Sequence, residues 1–312
     1  MFAKIAYYIL VYPISLLPLR IIYLFTDFFF LLLISIVPYR KKVIEGNLKR
    51  SFPEKSSREI KKIRNQFYRH FTDLLAEGVK NLSISENELR RRLTVQNPEL
   101  MTELFEKNQS VLLVSGHYNN WEWLITGQNL LFKHQAVGIG MPMTSAFWDK
   151  KINEQRSRFG MKILNSKNVR TAFEEMKNDV FATLILSDQS PGDARKAYWM
   201  EFLNQPTAVL FGCEQMAHQY QQAVVFFVLH KVKRGHYSME LKLITDNLSS
   251  KSWGEITEMH TKLLEKEIIR NPQFWLWSHK RWKRDVPADL ESLKLEQKSK
   301  FEAKFIPSQH EK

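Results

Sequence analysis

His117 and Glu122 stand five residues apart in the stretch VLLVSGHYNNWEW, where an apolar run gives way at Ser115-Gly116 to a polar turn. An imidazole can take a proton from a hydroxyl near neutral pH, and a carboxylate on its other nitrogen fixes the tautomer and stabilises the imidazolium. That is the base-and-orienter half of a catalytic triad, with the nucleophile left for the substrate to supply. The spacing limits how such a pair forms. On one continuous helix, five residues separate two side chains by about 140° around the axis. His117 must therefore sit in the turn, and Glu122 must reach back to it from the start of the next helix. A capping or core histidine would fit the same spacing. Its place at the end of a strand, where open α/β sheets bind ligands, favours chemistry.

A second apolar run ends the same way. In TLILSDQSPG, Asp188 and Gln189 follow the strand directly, where they would either face the same cleft or form an Asx turn. Between the two, INEQRSRFG places Arg156 and Arg158 near a helix end, as a bidentate phosphate site or as a solvated face. No cluster has convincing metal-ligand spacing, so no metal is expected. The single cysteine, Cys213, lies in AVLFGCEQMA and reads as a small buried residue rather than a nucleophile.

The elements that would position these residues alternate. Short apolar runs at 111–115, 136–140, 161–164 and 180–187 read as buried strands, with amphipathic helices between them at 121–131, 145–159 and 169–176. This rhythm predicts an α/β fold with a largely parallel sheet flanked by helices. Residues 223–231 and 237–244 read as a hairpin, and a last helix spans about 254–270. Earlier, Ser56-x-x-Glu59 is a capping box for a helix that ends at Gly78.

Residues 1–38 differ from the rest. The run from Ile21 to Val37 is almost wholly apolar and close to the lower limit of about 17 residues for a span, although Asp27 lies inside it. The reading is an N-terminal membrane anchor, either a single span or an interfacial hairpin broken at Pro13 and Pro18. The basic flank that follows places the bulk of the chain on the cytoplasmic side. Residues 39–285 form the catalytic domain, and 286–312 a polar, charged tail, helical at most in part. The formal charge of +13 suits a polyanionic partner or an anionic membrane surface. No nucleic-acid motif is present, and no Gly-x-Ser-x-Gly elbow marks a hydrolase.

Together, these stretches resemble the late acyltransferases of lipid A biosynthesis, relatives of the glycerolipid acyltransferases. The resemblance rests on His117-YNNW-Glu122, Arg156-Ser-Arg158-Phe159-Gly160 and Asp188-Gln189, with Glu201 to Thr207 and the closing Pro272 to Trp282 segment in order behind them. Asn47-Leu48 to Phe52-Pro53 also fits, whereas Phe202-Leu203-Asn204 stands where many members carry Phe-Phe-Gly. The resemblance implies transfer of an acyl chain from acyl carrier protein or coenzyme A to a lipid A precursor at the bacterial inner membrane. No cofactor beyond that donor is implied. His117 would be the general base and Glu122 its orienter. Arg156 or Arg158 would hold a phosphate, and Asp188 would be an acceptor-hydroxyl or supporting residue. A lysophospholipid, aminolipid or other glycolipid acceptor keeps the same chemistry. A basic peripheral membrane-binding module is the non-enzymatic alternative, and it would tolerate loss of His117.

Overall fold

The computed structural model describes residues 2–306. The chain opens with α1 (Phe2–Ala6), a π-helical turn (Tyr7–Val11) and α2 (Tyr12–Leu16), then α3 (Leu19–Ser35), α4 (Lys41–Ser51), α5 (Ser57–Lys80) and α6 (Glu86–Arg92). Alternation follows: β1 (Leu93–Val95), α7 (Glu99–Glu106), β2 (Val111–Ser115), α8 (Trp121–Leu131), β3 (Gln135–Gly140), α9 (Ala146–Arg156), β4 (Lys162–Asn165), α10 (Val169–Glu175) and β5 (Phe181–Leu186). Then come β6 (Tyr198–Phe202), β7 (Gln205–Val209), α11 (Gly212–Tyr220), β8 (Ala223–Lys233), β9 (His236–Thr245), α12 (Glu255–Arg270) and α13 (Leu290–Phe305).

The fold is α/β. One seven-stranded sheet runs β1-β9-β8-β2-β5-β3-β4, parallel throughout except for the antiparallel β8–β9 hairpin. Strand β2 lies at its centre and every residue of it is buried. Val111 and Leu113 pack on one face with Trp123 and Leu124 of α8, while Leu112 and Val114 pack on the other with Ile60 and Phe67 of α5 and Ile256 and Leu264 of α12. Helices on both faces are why this strand is apolar without alternation. The capping box of α5 is formed, with the Ser56 N–H donating to Glu59 at 2.8 Å. Gly78 does not end that helix, which runs on to Lys80.

The Lys80 side chain meets the amino terminus. Among the described residues no single helix is long and apolar enough to cross a membrane; residues 3–16 and α3 meet at 119°. Pro18 lacks the N–H that would continue the helix, so the carbonyls at the break need other donors. Lys80 supplies them, donating to Ser15 O and Leu17 O at 3.3 and 3.2 Å. Helix α3 is fastened along its length. Its Tyr23 hydroxyl donates to Glu77 at 2.6 Å, and Asp27 accepts from Arg69 at 2.7 Å and from Arg234 at 3.2 Å. Asp27, costly inside a span, is here an ion-pair partner on the inner side of a docked helix. The outer side carries Leu24, Phe25 and Phe28, all exposed.

These ion pairs are partly solvated, which limits their value to about 1 kcal/mol or less. Asp27→Leu is therefore expected to lower the thermal midpoint by a few degrees. An unchanged or raised midpoint would mean that the hairpin is not held to the domain by these pairs.

Two further elements complete the fold. Residues 201–207, which carry part of the resemblance, lie in the antiparallel β6–β7 hairpin, with Leu203 and Asn204 both at positive φ (51° and 60°) in its tight turn. Asn tolerates that conformation, so Asn204 holds the turn without a glycine. The tail is helical in part, over α13. Phe301 of α13 packs on Phe211 and His218 beside α11, which gives this otherwise charged helix a buried anchor.

Candidate active site

Parallel pairing of β2 with β5 sets Ser115 opposite Leu186. His117 and Asp188 each lie two residues beyond that pair, so the register alone brings them level at the carboxyl edge of the sheet. The His117 ring Nδ1 is 2.6 Å from Asp188 Oδ1, and the His117 backbone N–H donates to Asp188 Oδ2 at 2.9 Å. The Trp275 indole N–H also donates to Oδ2, at 2.7 Å. Burial by itself would push the Asp188 carboxyl up. The His117 ring and the hydrogen bonds from His117 and Trp275 outweigh it and bring the value down to about 2. An anionic Asp188 requires the ring proton on Nδ1, which leaves the lone pair of Nε2 facing outward. The Gln189 amide nitrogen lies 3.2 Å from Nε2 and donates to it. Trp121 meets the ring edge-on at 5.0 Å.

The carboxylate on the His117 ring is thus Asp188, not Glu122. Asn120 caps α8 by accepting the Trp123 N–H at 3.0 Å, and the chain turns a corner between His117 and the helix. That corner sends Glu122 to Arg156, whose guanidinium grips it in bidentate fashion at 2.6 and 3.2 Å. Asn120 is itself fixed by the fully buried Glu77, at 2.5 Å, which also receives the Tyr23 and Tyr237 hydroxyls. Through Glu77, the amino-terminal hairpin and the start of α8 share one anchor. Arg158 is committed as well. Its guanidinium donates to the carbonyls of Leu82, at 2.8 Å, and Ile84, so it ties down the end of α5 rather than facing a ligand.

Two cavities meet at these residues. One, of about 850 Å³, is bordered by His117, Gln189 and Arg156 and has an interior of Ile139, Ile163 and Leu184. Cys213, buried and free, belongs to its wall. The other, of about 600 Å³, is bordered by Trp121, Glu122 and His279, and is walled by Phe71 and Leu74 of α5 and by Tyr7 of the hairpin. The Glu122–Arg156 pair stands between them, each partner facing a different cavity. Among the described residues no group of three or more His, Cys, Asp or Glu side chains could hold a metal ion.

The sequence placed Trp275 and His279 in the closing segment without a role at the site. Trp275 is buried, yet its N–H closes the hydrogen-bond set of Asp188. His279 borders the smaller cavity and its Nε2 accepts the Ser190 N–H at 3.1 Å. The signal was present in the Trp275-Leu-Trp277-Ser-His279 segment, but its fold-back onto the site was not. That return is made by Leu276 N–H, which bonds to His117 O at 3.2 Å, and by a bridge between Tyr118 and Trp275.

The family model described as bacterial lipid A biosynthesis acyltransferase matches residues 1–284 of this chain. Over 255 residues the chain is 21% identical to the lipid A biosynthesis palmitoleoyltransferase of Escherichia coli (strain K12), covering 78% of this chain and 79% of that protein. The lipid A biosynthesis acyltransferase of Shigella flexneri matches with the same identity and coverage.

Proposed function

The chain belongs to the bacterial lipid A biosynthesis acyltransferase family, and from that premise we propose that it moves a fatty acyl chain from a thioester to a hydroxyl of a lipid A precursor, with His117 as general base. The observation that carries this reading is the His117–Asp188 pair, which leaves the Nε2 lone pair, met by the Gln189 amide, directed at a cavity. The acceptor hydroxyl takes the place of the Gln189 amide at Nε2. Its oxygen bonds to the thioester carbonyl carbon as its proton passes to Nε2. Asp188 holds the Nδ1 proton and stabilises the imidazolium formed. The displaced Gln189 N–H is then a donor for the tetrahedral oxyanion. Collapse breaks the C–S bond, and the proton on Nε2 goes to the departing thiolate. An ester, a thiol and a neutral imidazole result. Glu122 and Arg156, locked together, give the junction of the two cavities a fixed polar edge for substrate to rest on.

We place the protein on the cytoplasmic face of the bacterial inner membrane. The exposed apolar side of the amino-terminal hairpin would lie in the interface of one leaflet, and the basic flank at Lys41 and Lys42 would rest on anionic headgroups. The donor is an acyl carrier protein or coenzyme A thioester, and the surplus of positive charge would draw either one in.

Mass spectrometry of whole-cell lipids tests the reading, comparing the intact gene with His117→Ala. One acyl chain is expected to disappear from lipid A, with other lipids unchanged. A species missing elsewhere would keep the chemistry and replace the acceptor. No lipid change, with the protein expressed, would overturn the role of His117.

A further inference from the structure

The two arginines at which the sequence placed a phosphate are both engaged, Arg156 by a carboxylate and Arg158 by backbone carbonyls. The smaller cavity offers a different pair. Arg40 borders it, held at a positive φ of 50°, and its hydrogen bond among the described residues is to the carbonyl of Ser278 at 2.9 Å. A carbonyl leaves the guanidinium charge uncompensated and most of its fork free. His279 borders the same cavity. Because its Nε2 accepts the Ser190 N–H, and because burial favours the neutral ring, its remaining proton is on Nδ1. No acceptor among the described residues meets that N–H. The other charges on the wall are already satisfied: Lys151 by Glu154 at 2.8 Å, and Glu122 by Arg156. The cavity therefore presents an apolar wall with a cationic, hydrogen-bond-donating corner beside the catalytic residues.

We propose that this cavity receives the acceptor, and that Arg40 and His279 bind a phosphate group on it. The assignment rests on the acyltransferase reading above and deepens it. An apolar wall with one cationic corner suits an anionic amphiphile. Its approach is set by the hairpin: Tyr7 and Val11 line the cavity, Tyr39 and Leu75 stand exposed at its edge, and the outer side of the same hairpin is apolar. A membrane lipid thus reaches Glu122 sideways from one leaflet. The larger cavity, on the His117 side of the Glu122–Arg156 pair, is left for the donor's acyl chain.

A phosphate also occurs in the pantetheine arm of the donor, so the test separates the two sources. The full-length protein in mixed micelles would be assayed with a phosphorylated lipid A precursor and with the same lipid after phosphatase treatment. For Arg40→Gln, KM for the phosphorylated acceptor is expected to rise about tenfold. The enzyme's preference for phosphorylated over dephosphorylated acceptor should fall in the same proportion, with Arg40→Lys between the two and KM for the donor steady. An equal change on both acceptors overturns the proposal, as does a change confined to the donor. Inorganic phosphate added to the wild-type protein provides a measurement independent of any variant. It should compete with the acceptor, and inhibition competitive with donor alone, or none, counts against the site. Wild-type protein that acylates neither lipid would sink the lipid A acceptor reading on which this assignment rests. Intact turnover that ignores Arg40 and phosphate would sink only this assignment.

Discussion

Replacing Asp188 with asparagine is expected to lower kcat by about three to four orders of magnitude, although the two side chains have nearly the same shape. The reason lies in which atoms Asp188 faces. Its Oδ2 accepts from the Trp275 indole and from the His117 backbone N–H, both of which can only donate. In the variant the amide oxygen must stay at that position, since an NH2 group there would face two donors. The NH2 group then points at His117 Nδ1 across a contact of 2.6 Å and donates to it. Nδ1 becomes the acceptor, the ring proton moves to Nε2, and the lone pair that should take the substrate proton is gone. Steady-state kinetics measures the loss, and ring nitrogen NMR of His117 reports the cause. The spectrum should show the tautomer exchanged in Asp188→Asn and kept in Glu122→Gln, whatever Glu122→Gln does to rate. An exchange of tautomer in Glu122→Gln instead would return the orienting role to that residue.

The sequence revealed this site residue by residue but not pair by pair. Both strand ends were legible, because β2 and β5 are buried on both faces and read as short unbroken apolar runs. What joins His117 to Asp188 is the register Ser115 opposite Leu186, a fact about two strands 71 positions apart. No local pattern encodes which strands are neighbours. Glu122 drew attention because it is close in sequence, and closeness in sequence misleads at a corner. The capping residue Asn120 starts a new helix axis, after which i to i+5 spacing says nothing about direction. The amino terminus was ambiguous for a related reason. Hydropathy recorded the apolar side of α3, while its docking on the domain involves partners distant in sequence, among them Glu77 for Tyr23 and Arg69 and Arg234 for Asp27. Arg158 was similarly opaque, since its partners are backbone carbonyls that any residue could supply.

Gly116→Ala, a change of one methyl group, is expected to cost about a hundredfold in kcat and about 1–3 kcal/mol of stability. A Cβ built at position 116 would lie 2.6 Å from Leu264 Cδ2 and 2.8 Å from both Cγ and Oδ2 of Asp188. Something must shift. The Leu264 methyl is the far end of a flexible side chain and can move within the core at modest cost. Asp188 cannot move without damage, because its two oxygens are shared among three short hydrogen bonds. A displacement of a few tenths of an ångström lengthens the bond to Nδ1 and turns the imidazole away from its line of attack. Thermal unfolding and steady-state kinetics of the single variant measure the two losses, and a second variant separates their sources. Leu264→Ala in the same protein makes room on one side only. It is expected to relieve crowding around the new methyl while kcat stays low. Recovery of kcat in the double variant would show that Leu264, not Asp188, was the group displaced. Glycine at 116 therefore lets the aspartate of one strand close against the backbone of the next, at the one point where His117 needs it.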